Sequence, residues 1–188
     1  EKIATKDTVY SVDVGTSTVW STRYLQLDHN NQFITSSWLG TMGCALPGAI
    51  ASKIANPDKQ AIAITGDGGL SMVMHDFVTA VLYKLPIIVV VLNNQELSFI
   101  KYEQQAAGEL EYAIELGDID FARFADSCGG IGYNVSDVED IAPTLEKAKR
   151  ADKPVIVNVR VDPDAAPLPG KIVWDEARGY AKFEIRTA

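Results

Sequence analysis

Six consecutive apolar residues, Ile87 to Leu92 in "PIIVVVLNN", constrain this chain more than any other feature. A strand with one face in water alternates apolar and polar residues; a β-branched run without alternation must be covered on both faces. "AIAI" (61–64) makes the same demand. Six residues are strand length, and no stretch approaches the roughly 18 apolar residues of a membrane span. The chain therefore needs a central sheet with a layer of helices on each side.

The remaining segments supply those layers. Strand-like runs at 8–15, 32–37, 60–65, 86–93, 131–135 and 154–161 alternate with helix-like segments at 16–27, 41–56, 70–83, 120–130 and 137–150. Ser136 is the expected cap of the last of these helices. Pro47 fits the second only within its first turns. Residues 95–119 read as a broken helix with loops. This order predicts an α/β domain: a doubly wound, mostly parallel six-stranded sheet with helices on both faces. It would span residues 1–165. Residues 166–188, Pro-rich at first and then carrying Trp174 and Tyr180, read as an extension that packs on another domain or subunit.

Composition narrows the function classes. A net charge of −8 and a pI near 4.7 argue against nucleic acid as a partner, since phosphate backbones are bound by Lys/Arg clusters. Cys44 and Cys128 show no metal-ligand spacing and read as reduced thiols of a cytoplasmic protein. The chain opens on "EKIATKDTVY", without Met or an apolar leader, and reads as a piece of a longer or processed chain.

The chemistry gathers around residues 66–94. Gly66-Asp67-Gly68-Gly69 follows one strand, a helix crosses over, and the next strand closes on Asn93-Asn94. Parallel neighbours end on the same sheet edge, so Asp67 and Asn94 are expected roughly 5 Å apart, one strand spacing. That edge is where open α/β sheets bind ligands. A carboxylate and an amide oxygen suit Mg²⁺ or Ca²⁺. With one formal negative charge supplied, the dication would attract an anion such as a diphosphate, which Gly68 and Gly69 would let approach the backbone.

Gly-Asp-Gly, 24 intervening residues and Asn-Asn resemble the cofactor motif of the thiamine diphosphate-dependent enzymes. The resemblance covers about residues 8 to 165 and is to the C-terminal, diphosphate-binding domain of the pyruvate oxidase and acetolactate synthase group. It implies Asp67, Asn94 and the carbonyl of Glu96 as Mg²⁺ ligands. "VDVGTST" (12–18) implies Val14, Gly15, Thr16 and Ser17 as cofactor contacts. "WLGTMGCALPGAIASK" (38–53) implies the Gly40 carbonyl as acceptor from the aminopyrimidine and Met42 as the residue that bends the cofactor. "NNQELSFIKYEQ" (93–104) resembles pyruvate oxidase most, with Phe99, Ile100 and Glu103 facing the substrate. Leu97-Ser98 stands where that group is expected to carry Tyr-Gly.

The activity so implied is oxidative decarboxylation of pyruvate with phosphate and O₂ to acetyl phosphate, CO₂ and H₂O₂. FAD would be bound mainly by a domain outside this chain, in a homotetramer, and the chain alone would be inactive. Acetolactate synthase and 2-keto acid decarboxylase are the alternatives within the family. A Rossmann-type dinucleotide binder is the remote one, since "GDGGLS" lacks the third glycine of that fingerprint. The segment from Glu103 to Asp120, rich in carboxylates and without Lys or Arg, reads as a solvated acidic loop or a gate over the site.

Overall fold

The computed structural model describes residues 3–165 and 173–187. The strands are β1 (Val9–Val12), β2 (Gln32–Ile34), β3 (Ala61–Gly66), β4 (Ile88–Asn93), β5 (Ile131–Val135) and β6 (Val155–Arg160). They form one sheet in the order β2-β1-β3-β4-β6-β5, and every pairing is parallel. The expected sheet is thus found, wholly rather than mostly parallel. The apolar run is its centre, with β4 between β3 and β6.

Pleating sorts each strand into two cores. Ala61, Ala63, Val89, Val91 and Ile156 face one layer, made by α2 (Ala45–Ala55), α3 (Asp67–Val73), α4 (Phe77–Leu82) and α6 (Phe121–Ser127). Ile62, Ile88, Val155 and Val157 face the other, where Ile141, Leu145 and Ala148 of α7 (Val138–Lys149) pack. Small residues let α2 lie close on β1: a Cβ on Gly48 would come within 2.2 Å of Ser11 Oγ.

Several local expectations are corrected. The helix expected at 70–83 begins at Asp67 and breaks. Val73 takes φ −134°, outside the helical region, so the ladder stops, a 3₁₀ turn (Met74–Asp76) follows and α4 starts afresh. Helix α7 has Asp137 rather than Ser136 at its N-cap, with no side-chain cap bond. Glu139 and Asp140 in its first turn and Lys147 and Lys149 in its last complement the helix dipole instead. Pro47 is the third residue of α2, where a missing N–H costs nothing.

Residues 166–172 of the expected extension lie outside the described residues. Its remainder is α8 (Trp174–Thr187), which lies on α5 (Ser98–Ala107) of the same chain. Arg186 donates to the Gly108 carbonyl at 2.6 Å and pairs with Glu109 at 3.2 Å, while Gly179 faces Ala106. Trp174 and Ile185 remain exposed. Among the described residues, no helix is long and apolar enough to cross a membrane.

Candidate functional site

The chain leaves β1 for β2 on one side and returns to β3 on the other, so the loops after β1 and β3 diverge and open a crevice. A cleft of about 220 Å³ lies there, at the carboxyl ends of β1, β3 and β4. Val14, Gly15, Thr16 and Ser17 line it from the end of β1 and the start of α1 (Thr16–Tyr24). Gly40 and Met42 enter from the β2–α2 connection, and Asp67, Gly68 and Gly69 from the first turn of α3. Asn94 and Glu96 come from the loop after β4, and Phe99, Ile100 and Glu103 from α5. Every residue named in the sequence as a cofactor, metal or substrate contact borders this one cleft. Leu92, Leu97 and Ser98 border it as well and were not anticipated.

The loops are tied together by Asp13, which sequence reasoning passed over. It is 1% exposed at the end of β1. Its Oδ1 accepts from Gly43 N–H at 2.7 Å, Cys44 N–H at 3.2 Å and Val14 N–H at 3.0 Å; its Oδ2 accepts from Thr65 Oγ1 at 2.7 Å. Its carbonyl receives the hydroxyls of Ser17 and Thr18, which fixes the start of α1. Gly15 turns the chain into that helix with φ +145°, a conformation closed to other residues. The available signal was a carboxylate inside the apolar stretch "VYSVDV". Burial pushes the Cys44 thiol above its ordinary range; a hydrogen bond with the Ser36 backbone partly offsets this, and the adjacent Asp13 charge adds to it. Cys44 and Cys128 are both free.

The two ends of the Gly-Asp-Gly…Asn-Asn unit meet as geometry demands: β3 and β4 are paired neighbours, and Asp67 Oδ2 accepts from Gln95 N–H at 2.7 Å. Asp67 is 5% exposed, and burial raises its carboxyl above the usual range while the Gln95 N–H partly offsets this. The asparagines divide the work. Asn93 turns into the sheet, where Asn93 Nδ2 donates to Asn158 at 3.0 Å and Asn158 Nδ2 to Asn134 at 2.8 Å, an amide ladder across β4, β6 and β5. Arg160 bridges Asn93 to Asp118. Asn94 turns to the cleft.

The loop between them is held from two further sides. Lys101, only 6% exposed, pairs with Glu96 at 3.0 Å and Asp164 at 3.1 Å. Burial alone would lower its pKa, but the two carboxylates reverse this and push it up to about 12. The acidic segment is strapped to the same loop: Leu97 N–H donates to Ile114 O and Leu116 N–H to Gln95 O, each at 2.8 Å, around a Glu96–Glu115 bridge. Its carboxylates at Glu103, Glu109, Glu111, Glu115, Asp118 and Asp120 are exposed, as expected of a solvated acidic segment, while its backbone at 114–116 is tied down.

The donor set fits a hard dication. Asp67 could supply a carboxylate, Asn94 an amide oxygen and Glu96 a carbonyl, all from one rigid loop pair. Among the described residues no cluster of three His, Cys, Asp or Glu offers a competing metal site. Packing gives the glycines a reason of its own, beside the expected approach of a phosphate. A Cβ on Gly69 would sit 2.2 Å from Asp13 Oδ2, and one on Gly68 would sit 3.0 Å from Leu97 and 3.2 Å from Leu116. Packing against Asp13 thus requires Gly69 to be small, while a Cβ at Gly68 would press on two leucine side-chain ends. Of the three motif glycines, Gly66 has open space in its Cβ direction.

A wholly parallel, doubly wound sheet with a carboxylate–amide pair at its switch point defines a cofactor-binding α/β domain. The comparison with known proteins makes this particular. Residues 13–159 match the family described as "Thiamine pyrophosphate enzyme, C-terminal TPP binding domain", and the chain belongs to this family. It is 50% identical over 186 residues to YdaP of Bacillus subtilis (strain 168), whose name gives thiamine pyrophosphate and no reaction; the match covers 99% of the chain and 32% of YdaP. It is 39% identical over 184 residues to pyruvate oxidase of Lactiplantibacillus plantarum, covering 96% of the chain and 30% of that enzyme. Acetolactate synthase of Bacillus subtilis is 30% identical over 150 residues, 80% of the chain and 26% of that protein. The chain spans about a third or less of the length of these relatives.

Proposed function

We propose that this chain is the thiamine diphosphate- and Mg²⁺-binding half-site of a pyruvate oxidase, which converts pyruvate, phosphate and O₂ to acetyl phosphate, CO₂ and H₂O₂. The observation that carries the cofactor reading is the Asp67–Gln95 hydrogen bond, which closes the two ends of the motif on one another at 2.7 Å. Asp67, Asn94 and the Glu96 carbonyl hold the dication, and the dication holds the diphosphate. Val14 to Ser17, Gly40 and Met42 seat the organic part of the cofactor. When bound, thiamine diphosphate supplies the electron sink for loss of CO₂ from a 2-keto acid.

The chain's own residues shape the substrate side. Phe99 and Ile100 wall the cleft and exclude water from it. Glu103, one helical turn beyond Phe99 on α5, presents a carboxylate toward the substrate or phosphate. FAD and the residues that bind it belong to other parts of the enzyme, which works as a homotetramer in the cytoplasm. Support for the oxidase reading is the "SFIKYEQ" stretch, together with the similarity to the Lactiplantibacillus enzyme across nearly the whole chain. The similarity to acetolactate synthase carries a second reading, in which two keto acids are joined and no oxygen is consumed.

Oxygen uptake separates the two. The full-length protein, given thiamine diphosphate, Mg²⁺, FAD and pyruvate, is expected to consume O₂ and release peroxide only with phosphate. Pyruvate consumption without oxygen uptake would move the assignment to carboligation or simple decarboxylation. Asp67→Ala is expected to abolish Mg²⁺-dependent cofactor binding, because the dication loses its only charged protein ligand.

A further inference from the structure

The Asn94 side chain ends in an oxygen and an NH₂ group of nearly the same shape, and only the oxygen can meet a cation. Which end faces the cleft is set by hydrogen bonds. Asn94 Nδ2 donates to Ser98 Oγ, and Asn94 Oδ1 accepts from Glu96 N–H at 3.2 Å. The second lone pair of Oδ1 is left for a ligand. Ser98 is the first residue of α5 and is 5% exposed, so water has little access to replace its hydroxyl.

We infer that Ser98 is a positioning residue for the metal: its hydroxyl anchors the Asn94 carboxamide, whose sense the Glu96 N–H selects, so that Oδ1 is held in place for a ligand. The inference rests on reading Asp67, Asn94 and Glu96 as the dication's ligands. The Glu96 N–H fixes the sense of the amide, since a turned amide would set donor against donor, but one bond leaves the carboxamide free to swing. Ser98 Oγ supplies the second anchor; without it the part-buried NH₂ loses its protein acceptor and the amide plane is no longer held. The device also links two parts of the site. The helix that carries Phe99, Ile100 and Glu103 toward the substrate is, through its first residue, what orients the metal ligand.

The test uses the full-length protein and a readout other than turnover. Thiamine diphosphate binding is followed by calorimetry at stepped Mg²⁺ concentrations, giving a Mg²⁺ midpoint for each variant. Ser98→Ala is expected to raise that midpoint about tenfold, the scale of losing a group that orients a metal ligand. Ser98→Thr, which keeps the hydroxyl, is expected within about twofold of the parent. Ser98→Cys keeps the shape with a weak acceptor and is expected near Ser98→Ala, which guards against a packing effect. If Ser98→Ala and Ser98→Cys titrate like the parent, even with a lowered thermal midpoint, Ser98 is only structural and the inference is overturned. If the parent binds the cofactor without Mg²⁺ dependence, the ligand reading itself fails and takes the inference with it.

Discussion

Two buried carboxylates behave differently because their partners differ. Asp13 accepts from groups of three separate segments, and so holds the loops after β1 and β2 and the end of β3 in one arrangement. Asp13→Ala leaves the Gly43 and Cys44 N–H groups without their acceptor and leaves the Thr65 hydroxyl only the Gly66 carbonyl. It is expected to cost about 3 kcal/mol in urea unfolding. Asp67 faces the cleft, and its pKa is raised chiefly by burial. Only the ionised carboxylate binds a dication, so protons compete with Mg²⁺, and a raised pKa brings that competition to higher pH than for an exposed Asp. Mg²⁺ affinity is therefore expected to fall on acidification from pH 7 to pH 5. Titrations at the two pH values check this, and an unchanged affinity would contradict it. The Asp67–Asn94 pair was legible in the sequence because one βαβ unit brings both to the same edge. Asp13 was not, because its partners lie 30 and 52 residues away and nothing local marks them. Lys101 was read only as part of a pattern; its inward turn to Glu96 and Asp164 depends on where residue 164 passes α5.

At the scale of elements, strands were easier to read than helices. An apolar run fixes a buried strand to within a residue or two, as in 86–93 against the observed Ile88–Asn93. The helix expected at 70–83 failed because its break at Val73 answers to a neighbour. Val73 packs where a Cβ on Gly43 would lie, at 2.9 Å, and no periodicity within 70–83 encodes that contact. The contact of α8 with α5 is likewise written in single glycines. A Cβ on Gly179 would fall 1.6 Å from the Ala106 carbonyl, so Gly179→Ala must lift α8 from α5. Hydrogen exchange in residues 174–187 and at the end of α5 is expected to quicken in this variant, with a lower thermal midpoint. Exchange matching the parent would show that α8 tolerates a wider spacing. The strap of residues 109–118 is bonded to the loop before α5 through Leu97 and Leu116, and to α5 itself through the Gln104 side chain and the Tyr112 backbone. The helix that walls the cleft is thus held by both α8 and the strap.

At the scale of the whole molecule, the proposed function makes the cleft a half-site. Trp38, 93% exposed, and Leu39, also exposed, directly precede the cleft residues Gly40 and Met42 in the chain. The 188-residue chain alone is expected to show no pyruvate turnover, while the full-length protein turns pyruvate over with cofactors supplied; activity of the short chain would refute the half-site reading. The sequence by itself determined the α/β class, the six strands and the meeting of Asp67 with the Asn94 loop. These follow from local periodicity and from the rule that parallel neighbours end on one edge. Only the tertiary structure decided that Asn93 turns into the sheet and Asn94 to the cleft, that Asp13 gathers three segments, that the Asn94 amide donates to Ser98, and that α8 packs on α5. Those outcomes rest on hydrogen bonds and close packing between side chains distant along the chain or free to turn either way. Such contacts exist only after the backbone has brought the groups within about 3 Å of one another.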